Sequence, residues 1–287
     1  MSSIRERVDA IEWSTVADEL DELGIAATGP MLDADECRAL IELYDSTDRF
    51  RSTIDMASHR FGRGQYRYFN RPLPAIVAEL RAAFWPHLLP VAREWAGRRG
   101  QPSPWPDTLD EWIAQCHAAG QLRPTPLMLR YGPGDWNALH RDLYGELVFP
   151  LQVVIGLNDP STDYTGGEFV VVEQRPRAQS RATAVTIPHG HGVVVAPATD
   201  PSARCADGPT HRCGTVSASC ARGVATPSDS SSTTRNDHPS SAFPAPGEPA
   251  LDGFADDRRA KGLALGFLGS GSEPTAKVFE AGSDRLP

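Results

Sequence analysis

This sequence of 287 residues lacks several features that are typical of membrane proteins, secreted proteins and proteins that bind nucleic acid through a basic surface. No apolar run is long enough to cross a membrane, and no signal-peptide-like hydrophobic segment follows the first residues. Basic residues are not in excess, because 28 Lys and Arg stand against 37 Asp and Glu, for a formal net charge of -9. This balance argues against nucleic-acid binding through an extended basic surface, although local basic patches are not excluded. We expect a cytoplasmic protein with no membrane partner.

Paired cysteine motifs are also absent. The five cysteines form no CxxC cluster, and the spacings of Cys205, Cys213 and Cys220 fit no common zinc site. Cys37 and Cys116 fall within helical patterns and are predicted to be plain buried thiols.

Large apolar residues become scarce near residue 200. All six Trp and all six Tyr lie at or before Tyr164. The following stretch consists mainly of Ser, Thr, Pro, Ala, Gly and Arg, without strand alternation or a helical stripe. Such a segment cannot bury enough surface to offset its conformational entropy. We therefore predict that residues 200–287 are a low-complexity, disordered tail.

The order of periodic segments predicts an α+β fold. Helical spacing is found over 4–23, 34–44, 75–95 and 108–119. A capping box is predicted at Asp33 with Glu36, a cap at Thr108, and a kink or split of the third helix at Pro86 and Pro90. Five short β-branched runs follow within 124–197, which is typical of an antiparallel sandwich or jelly roll. The prediction is a mainly helical region at 1–120 followed by a jelly-roll core, or double-stranded β-helix, at 121–199.

One segment, LRYGPGDWNALHRDLYGE at 129–146, contains a candidate metal site. In a strand, residues two apart point to the same face, so His140 and Asp142 can converge on one point. An imidazole and a carboxylate make two thirds of the facial triad that binds non-haem Fe(II). The alternative is a surface turn, since HxD alone is common.

The context of this pair resembles the 2-oxoglutarate oxygenases. The Tyr-x-Pro-Gly turn before HxD, TGGEF at 165–169 and the hairpin-like EQRPRAQSRATAV resemble a prokaryotic oxygenase family that is itself similar to AlkB-like nucleic-acid repair dioxygenases. The resemblance implies that His140 and Asp142 are Fe(II) ligands and that Tyr131 faces the co-substrate. It also implies 2-oxoglutarate and O2 as co-substrates. Leu129 stands where AlkB-like enzymes have asparagine.

The same resemblance requires a distal His and, about ten residues later, a basic residue that binds 2-oxoglutarate. His189 and His191 precede the expected strand and are interpreted as loop residues. His211 and Arg212 lie in the low-complexity segment without a flanking strand.

A shifted reading frame would explain the missing residues. If the third base of each codon is read with the first two of the next, residues 211–215 permit Pro-Val-Arg-His, and residues 222–235 permit a segment containing Arg-His-Thr-Leu-Gly-Leu-Val-Phe-His-Asp-Ala. This shifted reading resembles the family's closing segment. The His codon would straddle Gly214 and Thr215, and the Arg codon Val224 and Ala225. We predict that the C-terminal third is frame-shifted and that the chain as written is inactive and poorly folded.

A basic, aromatic-rich stretch is the candidate substrate surface. No acidic residue lies between Asp55 and Glu79, while arginines alternate with rings at 60–71. Cations beside stacking rings are typical of surfaces for single-stranded or damaged nucleic acid, so Arg63 and Tyr66 are predicted to bind substrate. Two alternatives are a hairpin whose rings pack on the core, and arginines that bind a small carboxylate.

Three functions remain open at this point. The first is oxidative demethylation of damaged nucleic-acid bases, and the second is hydroxylation of a small molecule or protein side chain. The third is a non-catalytic, cupin-like remnant that no longer holds iron.

Overall fold

The computed structural model describes residues 2–140, 147–173 and 179–196, together with the backbone of two strands at 218–220 and 262–267. All paired strands in this part of the chain are antiparallel. The fold is α+β with a jelly-roll-type core, as predicted.

The helices are α1 (Ile4–Asp9), α2 (Trp13–Leu23), α3 (Ala34–Leu43), α4 (Ala75–Arg98) and α5 (Leu109–Ala118), with 3-10 turns at Thr47–Arg49 and Ala57–His59. The strands are β1 (Ile25–Pro30), β2 (Phe50–Asp55), β3 (Gly62–Arg63), β4 (Gln65–Phe69), β5 (Leu127–Tyr131), β6 (Trp136–Asn137), β7 (Gln152–Gly156), β8 (Phe169–Glu173), β9 (Arg181–Val185), β10 (His191–Val195), β11 (Ala218–Cys220) and β12 (Gly262–Phe267).

Local capping chemistry sets the ends of several helices where the sequence predicts them. Asp33 and Thr108 each accept a backbone hydrogen bond from the third residue of the helix, and Glu36 and Glu111 complete the two capping boxes. Gly24 ends α2 in the left-handed conformation, with φ 72°.

Two helical details differ from the prediction. The first helical segment is divided into α1 and α2, and the Trp13 indole donates to the Val8 carbonyl at the break. Helix α4 continues through Pro86 and Pro90 and is therefore not split at either proline. Both prolines are exposed, so the carbonyls that lose a hydrogen bond lie on the side of the helix that water reaches.

Two sheets face each other beyond the helical layer. The larger has the order β1-β10-β7-β12-β5-β4-β2, and the smaller has the order β11-β8-β9. One face of the larger sheet, including Phe69, Met128 and Ile155, packs in the main core with residues of α4. Its other face contributes Ile25 and Val193 to a second apolar cluster with Val171 of the smaller sheet. The space between the sheets is therefore the interior of the sandwich.

The larger sheet combines strands from both sides of residue 120. Strands β1, β2 and β4 come from the region predicted as mainly helical, and they pair directly or through one another with β5 and β10. The boundary between two regions at residue 120 stays a prediction, although the larger sheet contains strands from both sides of it.

Two short strands come from the segment beyond residue 200. Strand β11 pairs with β8, and β12 lies between β5 and β7, with backbone pairing to both. The other residues after 196 lie outside the described part of the chain, as does the predicted shifted segment at 211–235.

The two helical cysteines are found where the sequence predicts buried thiols. Cys37 is fully buried, and burial raises the pKa of its thiol to about 11. Cys116 is half-buried, and burial also raises its thiol pKa.

Candidate metal and co-substrate site

His140 follows a two-stranded ribbon formed by β3 and β6. In this ribbon Gly62 aligns with Asn137 and Arg63 aligns with Trp136. The Ala138 N–H then donates to the Phe61 carbonyl at 2.7 Å, which extends the pairing toward His140. The ribbon therefore fixes the backbone that leads into the predicted metal ligand.

The imidazole of His140 is oriented by its own chain. Its Nδ1 lies 2.8 Å from the Ala138 carbonyl oxygen, so Nδ1 acts as the hydrogen-bond donor. A carbonyl that accepts from one ring nitrogen sets the tautomer in which Nε2 has the lone pair needed by a metal. This geometry fits a histidine ligand for Fe(II).

A close backbone approach holds the ribbon together. Gly62 has φ 123°, and a Cβ atom at this position would lie 2.2 Å from the Trp136 carbonyl oxygen. A side chain at residue 62 would push the two strands apart, because backbone cannot move aside as a flexible side chain does. Gly62 is thus needed for the local path of the chain before His140.

The ring of Tyr131 lies against the backbone of Gly64. A Cβ atom on Gly64 would be 2.8 Å from Cδ1 and 3.0 Å from Cε1 of Tyr131. Gly64 also has φ 133°, a conformation that other residues rarely adopt. The predicted co-substrate-facing ring is therefore positioned by a glycine between β3 and β4.

Tyr131 and Tyr66 share one face of the larger sheet. Tyr66 aligns with Leu129, which is two residues before Tyr131 on β5. The register across β12 also aligns Leu127 with Val154, which packs with the cluster between the two sheets. This face is thus the one turned to the sandwich interior.

A second ring and one arginine extend this face. The rings of Tyr66 and Tyr68 are 5.6 Å apart at 85°, an edge-to-face pair. The Arg51 guanidinium lies 4.4 Å from the centre of the Tyr68 ring and donates to the Pro124 carbonyl. The Tyr66–Tyr68 pair therefore lies next to the edge strand β2, where the contact with Arg51 holds the Tyr68 ring in place.

The predicted arginine and aromatic stretch is divided between two faces. Arg67 points to the helical side, 4.4 Å from the Tyr44 ring, and donates to the Tyr44 carbonyl. Arg130 covers Tyr44 at the same distance. Arg63 is exposed on the ribbon, and in the described residues it makes no hydrogen bond or ion pair. The Tyr66 and Tyr68 rings therefore lie on the face turned to the sandwich interior. The Arg67 guanidinium packs on the helical side.

The two histidines at 189 and 191 lie at the start of β10. His189 lies in a turn, as predicted, whereas His191 was predicted to precede the strand and is instead its first residue, paired with Pro30 of β1. Gly190 between them accepts hydrogen bonds from the Met31 and Leu32 N–H groups, so the turn is docked on the start of the α3 region.

The described residues do not assemble a whole Fe(II) site. No group of three or more His, Cys, Asp or Glu among them could hold a metal ion. Asp142, His211 and Arg212 lie outside the described part of the chain. The orientation of the His140 ring fits the role of a ligand.

Sequence reasoning missed two contributors to this region. Trp136, with 41% of its surface exposed, faces across the ribbon from Arg63, and Gly64 packs on Tyr131. A glycine every second residue in FGRGQ is a signal for close backbone approach, but the partner in that approach is not visible from the local sequence.

Comparison with known families identifies the class of protein. Residues 64–215, slightly more than half of the chain, match the model of an oxygenase family described as "Oxygenase, catalysing oxidative methylation of damaged DNA". The chain belongs to this oxygenase family. It is thus a member of the 2-oxoglutarate-dependent oxygenases, the class that uses Fe(II), 2-oxoglutarate and O2.

Two curated relatives are uncharacterized proteins of Mycobacterium tuberculosis, from strains CDC 1551 / Oshkosh and ATCC 25618 / H37Rv. Each is 65% identical over 126 residues, which is 44% of this chain and 54% of the relative. The chain therefore spans about half the length of the curated relatives that it matches.

Similar solved structures include a Pseudomonas putida prolyl-4-hydroxylase, with 14% identity, a TM-score of 0.45 and coverage of 90% of this chain and 98% of that one. A Trichoplax adhaerens prolyl hydroxylase, in complex with a hypoxia inducible factor oxygen degradation domain peptide fragment, has 11% identity and a TM-score of 0.46. Coverage is 93% of this chain and 92% of that one. No helix in the described residues combines the length and the apolar character that a membrane crossing requires.

Proposed function

We propose that this sequence encodes an Fe(II)- and 2-oxoglutarate-dependent dioxygenase that oxidatively demethylates damaged bases in single-stranded nucleic acid. The observation that most supports the proposal is the ribbon that connects Arg63, Trp136 and His140. His140, the predicted metal ligand, follows Trp136 by four residues, and the exposed Trp136 indole lies opposite the exposed Arg63 in the ribbon. The description of the matching family, which names damaged DNA, supports the same substrate class.

Each residue has a role defined by its own chemistry. His140 and Asp142 would hold Fe(II), which, with 2-oxoglutarate and O2, supplies the oxidation of a C–H bond on the substrate. Tyr131, held by Gly64, would border the co-substrate. Arg63 would contact a phosphate, and Tyr66 would offer a ring to a base. A flipped base is stabilised by stacking of this kind while chemistry proceeds on its methyl group.

We also propose that the chain as written is inactive. This proposal is supported by the sequence from residue 200 onward, which contains no distal histidine and basic residue at the spacing and in the strand context that the family resemblance requires. The 65% identity with the curated relatives extends over only 126 residues, and such a limited extent is in keeping with a reading-frame change inside the domain. The proposal requires that the shifted frame supplies the distal His and the Arg.

The first experiment compares the chain as written with a frame-restored chain. Sequencing codons 195–240 shows whether the third bases permit the shifted reading. We expect the restored protein to bind about one Fe(II) and to release succinate, and the chain as written to do neither. In the restored protein His140→Ala and Asp142→Ala should each abolish Fe(II) binding. Equal iron occupancy in the restored protein and both variants would refute the metal assignment.

A second experiment tests the substrate. Succinate formation by the restored protein should increase with a methylated single-stranded oligonucleotide and not with its unmethylated copy. Arg63→Ala and Tyr66→Ala should raise the KM for the oligonucleotide while leaving uncoupled 2-oxoglutarate turnover unchanged. Arg38→Ala is the matched control, because Arg38 is an exposed arginine of α3 paired with Asp35. Stimulation by a small metabolite instead would favour a small-molecule hydroxylase.

A further inference from the structure

Trp136 differs from the other tryptophans of this protein in its exposure. All six tryptophans lie in the described residues, and the other five are buried or half-buried. Trp136 keeps 41% of its surface exposed, on the short ribbon of β3 and β6. A single exposed ring is common on protein surfaces, so its surroundings decide what it can do.

The backbone that carries Trp136 is fixed by its partner strand. The Trp136 carbonyl oxygen would lie 2.2 Å from a Cβ atom on Gly62, so only glycine allows the two strands to approach this closely. Two residues further along, the Ala138 N–H donates to the Phe61 carbonyl at 2.7 Å. The indole is therefore presented from paired backbone, which lowers the entropic cost of binding a ligand to it.

An arginine accompanies the indole. Arg63 aligns with Trp136, and side chains directly opposite in an antiparallel pair lie on the same face, with Cβ atoms about 5 Å apart. Arg63 is exposed, and so is Arg60 in the turn before the ribbon. The neighbouring Asp135 is engaged in its own turn, where its Oδ2 accepts from the Gly132 N–H at 2.8 Å. A ring beside a cation is the combination that binds a single nucleic-acid strand.

The indole also lies a short way from the predicted metal ligand. His140 follows Trp136 by four residues, and four residues of fully extended chain span at most about 14 Å. Successive nucleotides of a stacked strand are about 3.4 Å apart. A base within about four nucleotides of the one at the metal would therefore reach Trp136.

We propose that Trp136 stacks on an undamaged base that neighbours the damaged one, while Arg63 holds the phosphate beside it. This role rests on the proposed function and deepens it, because the enzyme would then recognise the substrate strand as well as the modified base. A methylated nucleoside would be a poor substrate, and a methylated strand long enough to reach Trp136 would be a better one.

The first experiment measures binding of an end-labelled, unmethylated oligodeoxythymidylate by fluorescence anisotropy. It uses the full chain as written and the frame-restored protein, since both contain the ribbon. Trp136→Leu keeps apolar bulk without an aromatic face and should weaken binding at least about fivefold, whereas Trp136→Phe keeps a ring and should weaken it less. Because Trp136 is exposed, both variants should keep the wild-type Tm. Leu122→Ala, at an exposed apolar residue after α5, is the matched control and should bind like wild type.

The second experiment locates the stacked base in the frame-restored protein. An abasic nucleotide is moved along a methylated oligonucleotide, and kcat/KM is measured from succinate release. At one position within about four nucleotides of the methylated base, wild type should lose at least about fivefold in kcat/KM. Trp136→Leu should lose nothing further there, because the base and the indole act as a pair.

The outcomes separate this role from the proposed function. If no methylated oligonucleotide stimulates succinate release, the proposed function fails, and the strand contact is judged by the binding experiment alone. Stimulation with equal affinity and equal kcat/KM in wild type and Trp136→Leu overturns the role of Trp136 and leaves the proposed function standing. Concentration-dependent dimerisation that Trp136→Leu abolishes would assign the indole to a contact between two copies of the chain, and would likewise overturn it.

Discussion

The ring of Tyr131 and the backbone of Gly64 are in such close contact that a Cβ atom on Gly64 would lie 2.8 Å from Tyr131 Cδ1. Gly64 also has φ 133°. Gly64→Ala must therefore strain the backbone and displace the ring. We expect it to lower the free energy of unfolding by about 1–3 kcal/mol. In the frame-restored protein it should also raise the KM for 2-oxoglutarate.

Gly97→Ala is the matched control for this change. Gly97 lies in α4, and a Cβ atom there meets nothing within 4 Å. The control should be neutral or stabilise the protein by up to about 1 kcal/mol, because alanine favours helix. Urea unfolding measures both variants, and a Gly64→Ala protein as stable as Gly97→Ala would show that Tyr131 is not held in this way.

Substitutions of Arg67 and Arg63, which are four residues apart, should differ in their effect on stability. Arg67 lies 4.4 Å from the Tyr44 ring and donates to the Tyr44 carbonyl, so Arg67→Ala should cost about 1–3 kcal/mol of stability. Arg63 is exposed, and Arg63→Ala should change stability by less than about 0.5 kcal/mol. Chemical denaturation at a fixed salt concentration measures both, and equal losses would contradict the assignment of the two side chains to different layers.

The different positions of Arg67 and Arg63 illustrate which features could be predicted from the sequence and which could not. The caps at Asp33 and Thr108 were predictable, because a capping box needs only residues three positions apart. The direction of the Arg67 side chain was not predictable, because it depends on Tyr44, the C-cap residue of α3, which is 23 residues earlier in the sequence. His140 was found through its local motif, whereas Gly64 and Trp136 act through partners across strands.

His191 should make stability depend on pH. Burial first and His189 second lower the pKa of His191 below the ordinary 6.5. The unfolded chain then binds this proton more readily than the folded one. The stabilising contribution is therefore complete above about pH 6.5 and is lost as the pH falls toward the folded-state pKa.

His191→Gln should remove part of this loss. The variant is expected to lose less stability than wild type when urea unfolding at pH 7.5 is compared with unfolding at pH 5.5. His59→Gln, at an exposed histidine of a 3-10 turn, is the control and should follow wild type. Parallel pH dependence in all three proteins would exclude His191 as a source of the acid sensitivity.

Strand β12 offers the strongest test of whether the C-terminal third contributes ordered structure to the fold. The composition beyond residue 200 predicts disorder, yet residues 262–267 pair with both β5 and β7. Without β12 these two strands would expose unpaired edges in the middle of the larger sheet. We therefore expect the amides of 262–267 to exchange slowly with solvent deuterium, in contrast to the neighbouring tail sequence.

Proline substitutions extend this test to stability. Ala264 aligns with Leu129 on one side and Gly156 on the other, and a proline there removes a ladder donor from an interior strand. Ala264→Pro should lower Tm and speed exchange in β5 and β7, whereas Ser230→Pro, in a segment for which the sequence predicts no strand, should do neither. Fast exchange at 262–267 in wild type, with no effect of Ala264→Pro, would mean that the tail contributes no strand. The chain as written would then lack the middle of its sheet, which is the outcome that a frame-shifted C-terminal third predicts.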